Sequence, residues 1–407
     1  MKILLVHNYY GSAAPSGENK VFEAERAMLE KHGHDVVVYA RHSDEIRNGN
    51  VIARLWGMVK GALCTVGNPF AARSVAKLCR EFKPDVVHFH NTFPLISPLA
   101  VRAASKYAPV VMTLHNYRTA CAAGVPTRDG KVCSLCLDKK CVLDGVRHRC
   151  YRGSLAATLP LAINIVIYRK LLPKWGSRFV VLSEFQKRKM VEYGWPEKKI
   201  VVKGNFIGEE PRNTQNTRKK DQIVYVGRLS KEKGVETLIK AFAILCGRLE
   251  TPTQSIWLKN LKLVIVGDGV DRPELEKLAT GLNVEFMGYN PSKEARRIIS
   301  ESKVLVSPST CWETFGLAAA EAMSVGTPSV VANLGGLLDI VQDGRFGEVF
   351  EAGNVEACAA AIDRLLSHSD YDEMCAAAKR EAEAKYSEEA NYSRLLFIYR
   401  DCLLTKN

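Results

Sequence analysis

No apolar run in the 407 residues reaches the roughly 20 that span a bilayer. The longest, Leu155 to Tyr168, is broken by Pro160 and Asn164 and reads as a buried helix, so no transmembrane segment is expected. Solenoid repeats are absent, as is low-complexity sequence beyond alanine-rich stretches in the terminal helices. The first strand is not followed by a G-x-G-x-x-G that opens a helix, which argues against a nicotinamide oxidoreductase. A net charge of +13 comes with no basic stripe interleaved with aromatics, so nucleic acid is not an expected partner. A secretory signal is also missing: Lys2 to His7 is already core-strand sequence, which implies a reducing, cytoplasmic setting where disulfides are disfavoured despite 12 cysteines.

One local absence is more telling. From Ile46 to Arg80 there is no acidic residue, while Arg47, Arg54, Lys60, Arg73, Lys77 and Arg80 punctuate apolar sequence containing Leu55-Trp-Gly-Met58. That composition suits a helix lying in an anionic membrane interface; an ordinary amphipathic helix with a solvated basic face fits it as well. The cysteines cluster too, with five between Cys121 and Cys150. Cys133 and Cys136 form one C-x-x-C, and Cys121 and Cys150 complete a tetrad resembling a structural zinc knuckle, with Cys141 as the spare. Free thiols on a basic loop are the alternative.

What is present is a regular alternation. Strand-like runs at Lys2 to His7, Asp35 to Tyr39, Asp85 to Phe89, Val110 to Leu114, Arg178 to Leu182 and Ile200 to Lys203 are separated by helical stretches, the pattern of a parallel α/β sheet. The polar segment Gly208 to Asp221 has no apolar period and reads as a linker between comparable halves. In the second half, the strand Asp221 to Val226 leads into a glycine turn carrying Arg228 and Lys233, and another strand leads into Gly267-Asp-Gly269. Lys303-Val-Leu-Val-Ser-Pro308 then reads as a buried strand, after which Gly316 opens an alanine-rich helix closed by Gly326 and Pro328. Helix-start amides and the positive dipole end favour an anion there. Glu313 before the helix and Glu321 inside it could accept hydrogen bonds from hydroxyls around such a phosphate, which describes a nucleotide-sugar site; two glutamates facing water remain the plainer reading.

In order, Gly227-Arg-Leu-Ser-Lys-Glu-Lys-Gly234, Val266-Gly-Asp-Gly269, Glu313-Thr-Phe-Gly-Leu-Ala-Ala-Ala-Glu-Ala-Met323 and Gly326-Thr-Pro328 followed by Gly335-Gly336 resemble the retaining family-four glycosyltransferases, also called glycosyl transferases group one. The resemblance implies a GT-B fold: two α/β, Rossmann-like domains with parallel sheets facing across a cleft. Residues 1–207 would form the acceptor-side domain with its Cys-rich insert at 121–150, residues 208–386 the nucleotide-sugar domain, and residues 387–407 a helix returning to the first. It also implies that Arg228 and Lys233 hold the donor diphosphate together with amides near Phe315, Gly316 and Leu317. Glu321 would grip the ribose and Glu313 the transferred sugar.

The loop after the first strand carries Ser16-Gly17 where the family usually has paired glycines near the donor phosphate, which puts Gly17 in the donor site. His115, at a strand's carboxyl end, would contact the transferred sugar, with His88 and His90 as further acceptor-side residues. The implied reaction is retaining transfer from a UDP- or GDP-type sugar to a glycan or lipid-linked acceptor. No catalytic cofactor is required, and the enzyme would be peripheral at the inner face of the cytoplasmic membrane. Glycosidases retain configuration through a carboxylate nucleophile. No acidic residue stands beside His115 in sequence, and the resemblance implies same-face attack, with Glu313 as a positioning residue. The alternatives are a nucleotide-sugar epimerase on the same fold and an inactive scaffold of a glycan-synthesis complex; intact Arg228, Lys233, Glu313 and Glu321 argue against the scaffold.

Overall fold

The computed structural model describes residues 1–12, 16–208, 219–247, 260–342 and 344–404. Most of the Gly208 to Asp221 linker lies outside the described residues. The chain forms two compact units: Met1–Pro126, Ser134–Gly204 and the segment from Asn391 onward in the first, and Thr127–Cys133 with Asn205–Ala390 in the second.

All six strands expected in the first half form, and they make one parallel sheet. In chain order they are β1 (Lys2–Tyr9), β2 (Asp35–His42), β3 (Val86–Asn91) and β4 (Val110–Thr113), then β7 (Arg178–Val181) and β8 (Ile200–Val202) after a small antiparallel hairpin of β5 (Thr127–Arg128) and β6 (Lys131–Val132). The sheet order is β2-β1-β3-β4-β7-β8. Strands covered on both faces must be apolar throughout, and Ile3, Leu4, Leu5, Val6, Val86, Val87, Val110 and Val111 are fully buried.

The second unit holds β9 (Lys220–Val226), β10 (Lys262–Val266), β11 (Val284–Gly288), β12 (Ser302–Ser307), β13 (Ser329–Ala332) and β14 (Gly347–Phe350), all parallel, in the order β11-β10-β9-β12-β13-β14. Ile223, Leu263, Ile265, Val304 and Val306 form its core with Leu238, Phe242 and Ile362 from flanking helices. Counted within the unit this is the doubly wound order 3-2-1-4-5-6, whose direction of winding reverses between β9 and β12. Ligands bind outside the carboxyl ends of strands at such a reversal. The first sheet reverses between β1 and β3.

Two expected helical stretches differ from their reading. The acid-free stretch makes two helices, Val51–Val66 and Pro69–Phe82, because Asn68 caps the second by accepting from the amides of Phe70 and Ala71, both at 3.0 Å. Leu155–Tyr168 is helical, but only one side is buried, through Leu161, Ala162, Ile165 and Tyr168. An apolar helix has no polar face to reveal which side the protein leaves uncovered. Among the described residues, no helix is long and apolar enough to cross a membrane.

Candidate active site

The loops that follow β9 and β12 are locked together at the reversal point. Gly234 has φ +66°, and a Cβ there would lie 1.9 Å from the carbonyl oxygen of Pro308, so only glycine allows the approach. The amide of Thr310 donates to the carbonyl of Glu232 at 2.9 Å. This contact brings residues 80 apart in sequence into one ion pair: Lys233 Nζ lies 2.5 Å from Glu313 Oε1, and Ser309 Oγ donates to the same oxygen at 2.7 Å. Glu313 is itself held from behind. Its carbonyl accepts from the amide of Gly336 at 2.8 Å, and a Cβ on Gly335 would come within 2.5 Å of the Glu313 backbone.

Burial opposes charge on both members of the pair, yet each stabilises the other. Lys233 and the hydrogen bond from Ser309 outweigh desolvation and hold the Glu313 carboxyl below its ordinary range. Against the same desolvation, Glu313 raises the Lys233 ammonium above its usual value. Both are therefore ionised at neutral pH, with side chains 22% and 19% exposed, so a ligand can reach them. Arg228 is the more open cation at 63% exposure, its guanidinium on Glu232 at 2.9 Å and Ser230 at 3.3 Å.

The helix Leu317–Ser324 begins at Gly316, whose φ is +99°. Its first closing bond runs from the Ala320 amide to the Gly316 carbonyl at 3.1 Å, so the amides of Leu317, Ala318 and Ala319 precede the hydrogen-bonded ladder. Glu321 lies one turn further and is partly exposed. Phe315 is a packing residue: its buried ring meets Tyr386 edge-on at 5.4 Å, leaving only its backbone for a ligand. The second unit thus gathers Arg228, Lys233, Glu313, Phe315, Gly316, Leu317 and Glu321 on two adjoining segments.

In the first unit, His115 follows β4 and is in contact with His90 at the end of β3, Nε2 to Nδ1 at 3.0 Å. Both line a cavity of about 60 Å³ with Glu18, Asn91, Asn116 and Arg118. Burial, then the neighbouring His90, holds the His115 imidazole well below its usual value, so it is neutral. Gly17 is the first residue of the exposed start of the helix Gly17–Lys31, with nothing within 4 Å of where its Cβ would be.

A buried charge network behind His115 was not anticipated. Glu25 Oε1 lies 3.1 Å from both His88 Nδ1 and His90 Nε2, and Glu25 Oε2 lies 3.0 Å from Lys203 Nζ. His88 also contacts Tyr399 OH at 2.7 Å and Thr113 Oγ1 at 2.8 Å. Glu25, His88 and His90 are the one group among the described residues that brings three potential metal-ligand atoms within 4.8 Å of one another. Lys203 already neutralises the carboxylate, so the set is read as an ion-pair network. The signal for it was legible: Phe22, Glu25, Met28 and Leu29 are the buried face of one helix, and a glutamate at a core position needs a partner. Glu18 was also missed; burial pushes its carboxyl up to about 7 against the pull of Arg118, and it accepts from Asn116 at 3.3 Å.

The cysteine tetrad is divided between the units, with Cys133 in the second. Cys121, Cys136 and Cys150 lie in the first unit and do not bring their sulfurs within 4.8 Å of one another. Cys136 packs instead among Val142, Leu161 and Ile165, and the Cys121 thiol points at the Val125 carbonyl at 3.8 Å. As placed, these residues do not fit a thiolate zinc site. Metal analysis of the purified chain should accordingly find far less than about one zinc per chain; a full equivalent, lost together with thermal stability in Cys133→Ser, would show that metal gathers the thiols.

An amide-rimmed helix start with an adjoining cation and carboxylates, at the reversal point of a doubly wound sheet, is an arrangement that can receive a phosphate and neighbouring hydroxyls. Residues 207–384 match the model of the glycosyl transferases group 1 and residues 17–210 that of glycosyltransferase family 4, and the chain belongs to this GT-B glycosyltransferase family. It is 26% identical over 391 residues to sulfoquinovosyl transferase SQD2 of Arabidopsis thaliana, covering 93% of this chain and 69% of that one. It is 24% identical over 264 residues to a phosphatidyl-myo-inositol mannosyltransferase of Mycobacterium leprae, covering 62% and 68%. Other relatives match over a smaller share, such as 44% of either chain for an uncharacterized glycosyltransferase of Methanocaldococcus jannaschii at 33% identity over 183 residues. Among solved structures, Anabaena HepE in complex with UDP and glucose superposes with a TM-score of 0.63 over 98% of this chain and all of that one, at 16% identity.

Proposed function

We propose that this glycosyltransferase moves a sugar from a nucleotide diphosphate sugar, of UDP or GDP type, to a glycan or lipid-linked acceptor with retention at the anomeric carbon, in polysaccharide or glycoconjugate synthesis. The observation that carries the reading is the Lys233–Glu313 pair beside the Leu317–Ser324 helix start. A donor diphosphate would take Lys233, Arg228 and the helix amides, neutralising the charge that develops as the glycosidic bond breaks. Glu313 then gives up its ammonium partner and accepts hydroxyls of the transferred sugar, while Glu321 grips the ribose. For the first unit we assign His115 to a sugar hydroxyl, its neutral imidazole suiting hydrogen bonding. The acceptor hydroxyl attacks from the face that the diphosphate leaves, and the departing phosphate oxygen takes its proton. The name of the mycobacterial relative, a phosphatidyl-myo-inositol mannosyltransferase, favours a lipid-linked acceptor, and a lipid-linked acceptor would bring the enzyme to a membrane surface.

A thermal-shift panel of UDP-, GDP-, ADP- and dTDP-sugars tests the donor class, since a ligand that binds only the folded state stabilises it by mass action. No stabilisation by any of them would overturn the reading. The two glutamates should separate in the same assay. Glu321→Ala is expected to weaken binding of the bare nucleoside diphosphate about tenfold or more, as loss of hydrogen bonds to a charged group costs ~1.5–3 kcal/mol. Glu313→Ala should spare that binding and lower turnover; equal losses in both would show the roles wrongly divided.

A further inference from the structure

The helix Val51–Val66 is packed inside out. Its buried positions are Gly57, Gly61 and Thr65, and the two glycines press on Ile46: a Cβ at Gly57 would lie 2.4 Å from the Ile46 carbonyl oxygen, and one at Gly61 2.8 Å from Ile46 Cδ1. The large apolar side chains face away from the protein. Val51, Ile52, Leu55, Trp56, Met58 and Leu63 are 53% to 73% exposed. The helix Leu155–Tyr168 lies against it, with Asn164 Nδ2 donating to the Thr65 carbonyl at 2.6 Å and Tyr168 OH to the Val66 carbonyl at 2.9 Å. It adds a second exposed stripe, Leu155, Leu159, Ile163, Val166 and Ile167, whose spacing is that of one helix face. These two helices hold 12 of the 22 exposed large apolar side chains among the described residues. A concentration of that kind marks an interaction surface.

The surrounding charge identifies the partner. Acid is missing from Ile46 to Arg80 and again from Gly145 to Ser183, so both helices sit in acid-free sequence. Arg47, Arg54, Lys60, Arg73, Arg152 and Lys170 in these stretches are all exposed. Within these stretches every charge beside the apolar stripes is cationic, which matches a surface with an apolar interior and an anionic rim. A second copy would meet the same face with like charge.

We propose that the paired helices Val51–Val66 and Leu155–Tyr168 form a docking face for an anionic lipid bilayer. Their apolar stripes lie below the headgroups, Trp56 sits at the headgroup level, and the flanking arginines and lysines rest on lipid phosphates. The proposal concerns where the chain meets a membrane and stands apart from which sugar it transfers.

The test uses the full chain with vesicles of phosphatidylcholine, with and without phosphatidylglycerol, read by co-sedimentation and tryptophan emission. The wild type should bind the anionic vesicles at low salt with a blue shift that Trp56→Phe diminishes, and should be released by high salt. Leu55→Glu combined with Ile163→Glu should reduce binding by about tenfold or more, because each buries a charge in the apolar layer. Both positions are exposed, so the melting temperature should be unchanged and nucleotide-sugar binding intact. Arg54→Gln with Lys60→Gln should weaken binding and flatten its salt dependence. A wild type that ignores anionic vesicles at low salt, or a double glutamate variant that binds them normally, overturns the proposal. So does a stable dimer in solution that the glutamates dissociate, which would assign the face to a second copy.

Discussion

Lys233→Ala should lower kcat/KM for transfer by about 10²–10³, the cost of removing one preorganised donor aimed at developing charge, ~2.7–4 kcal/mol. The loss should fall on kcat more than on donor affinity, because the diphosphate gains negative charge only as the sugar leaves. Geometry makes the expectation specific to this lysine. Its ammonium is 2.5 Å from Glu313, held there by a glycine turn that tolerates no side chain, whereas Lys240 pairs with Glu236 on an exposed helix face. Lys240→Ala is therefore the matched control and should leave kinetics unchanged. Because Lys233 and Glu313 share one contact, Lys233→Ala with Glu313→Ala should cost less than the sum of the single variants. Wild-type turnover in Lys233→Ala would remove Lys233 from the phosphate site.

Much of the fold was legible because parallel strands buried on both faces announce themselves as short β-branched runs: all six runs read in the first half became the strands of one sheet. The candidate donor site was legible as a set of motifs, but not as an arrangement. Nothing in Gly227 to Gly234 or Pro308 to Glu313 states that Lys233 and Glu313 touch; that follows from the order β10-β9-β12, which places the two loops side by side, and from Gly234 meeting Pro308. Gly335 gained its meaning the same way, as the residue whose missing side chain makes room for the Glu313 backbone.

Elsewhere sequence pattern pointed the wrong way or not at all. A mostly apolar stretch such as Leu155–Tyr168 carries little record of its uncovered side, so it read as buried. Cysteine spacing suggested a metal set, but spacing does not fix which thiols the local helices turn into an apolar core, and Cys136 is turned there. Glu25 is the opposite case. Its position on the Phe22, Met28 and Leu29 face was plain, but its partners come from Val86–Asn91 and from Lys203, 178 residues away.

That network should make the first unit acid-sensitive well above the pH at which carboxylates usually titrate. His7 is held down to about 3 by burial and the nearby His90, His88 to about 4 by burial against the pull of Glu25, and His115 well below its usual value by burial and His90. Each is neutral when folded but takes a proton near pH 6.5 once unfolded, so the unfolded state binds more protons and stability falls as pH drops through that range. A histidine of this kind costs about 1.4 kcal/mol at one pH unit below its unfolded value, and three cost about 4 kcal/mol at pH 5.5 relative to alkaline conditions. Glu25 acts in a different window. Burial opposes its charge, but Lys203 and then the two histidines hold its carboxyl well below the ordinary range. Its contribution is thus fully present above about pH 4.5 and lost only as pH falls through the depressed folded value; between pH 7.5 and 5.5 the histidines are instead opposed by Glu18, whose carboxyl, raised to about 7, takes a proton in the folded state and stabilises it as pH drops. Glu25→Ala at pH 7.5 strands the buried Lys203 ammonium with Asn391 alone and should cost ~3–5 kcal/mol. Glu25→Leu with Lys203→Met removes both charges and should recover much of that loss. Denaturant unfolding at several pH values reads all of these, and a flat profile between pH 7.5 and 5.5 in Glu18→Gln, which removes the opposing carboxyl, would show that the buried histidines are not held neutral.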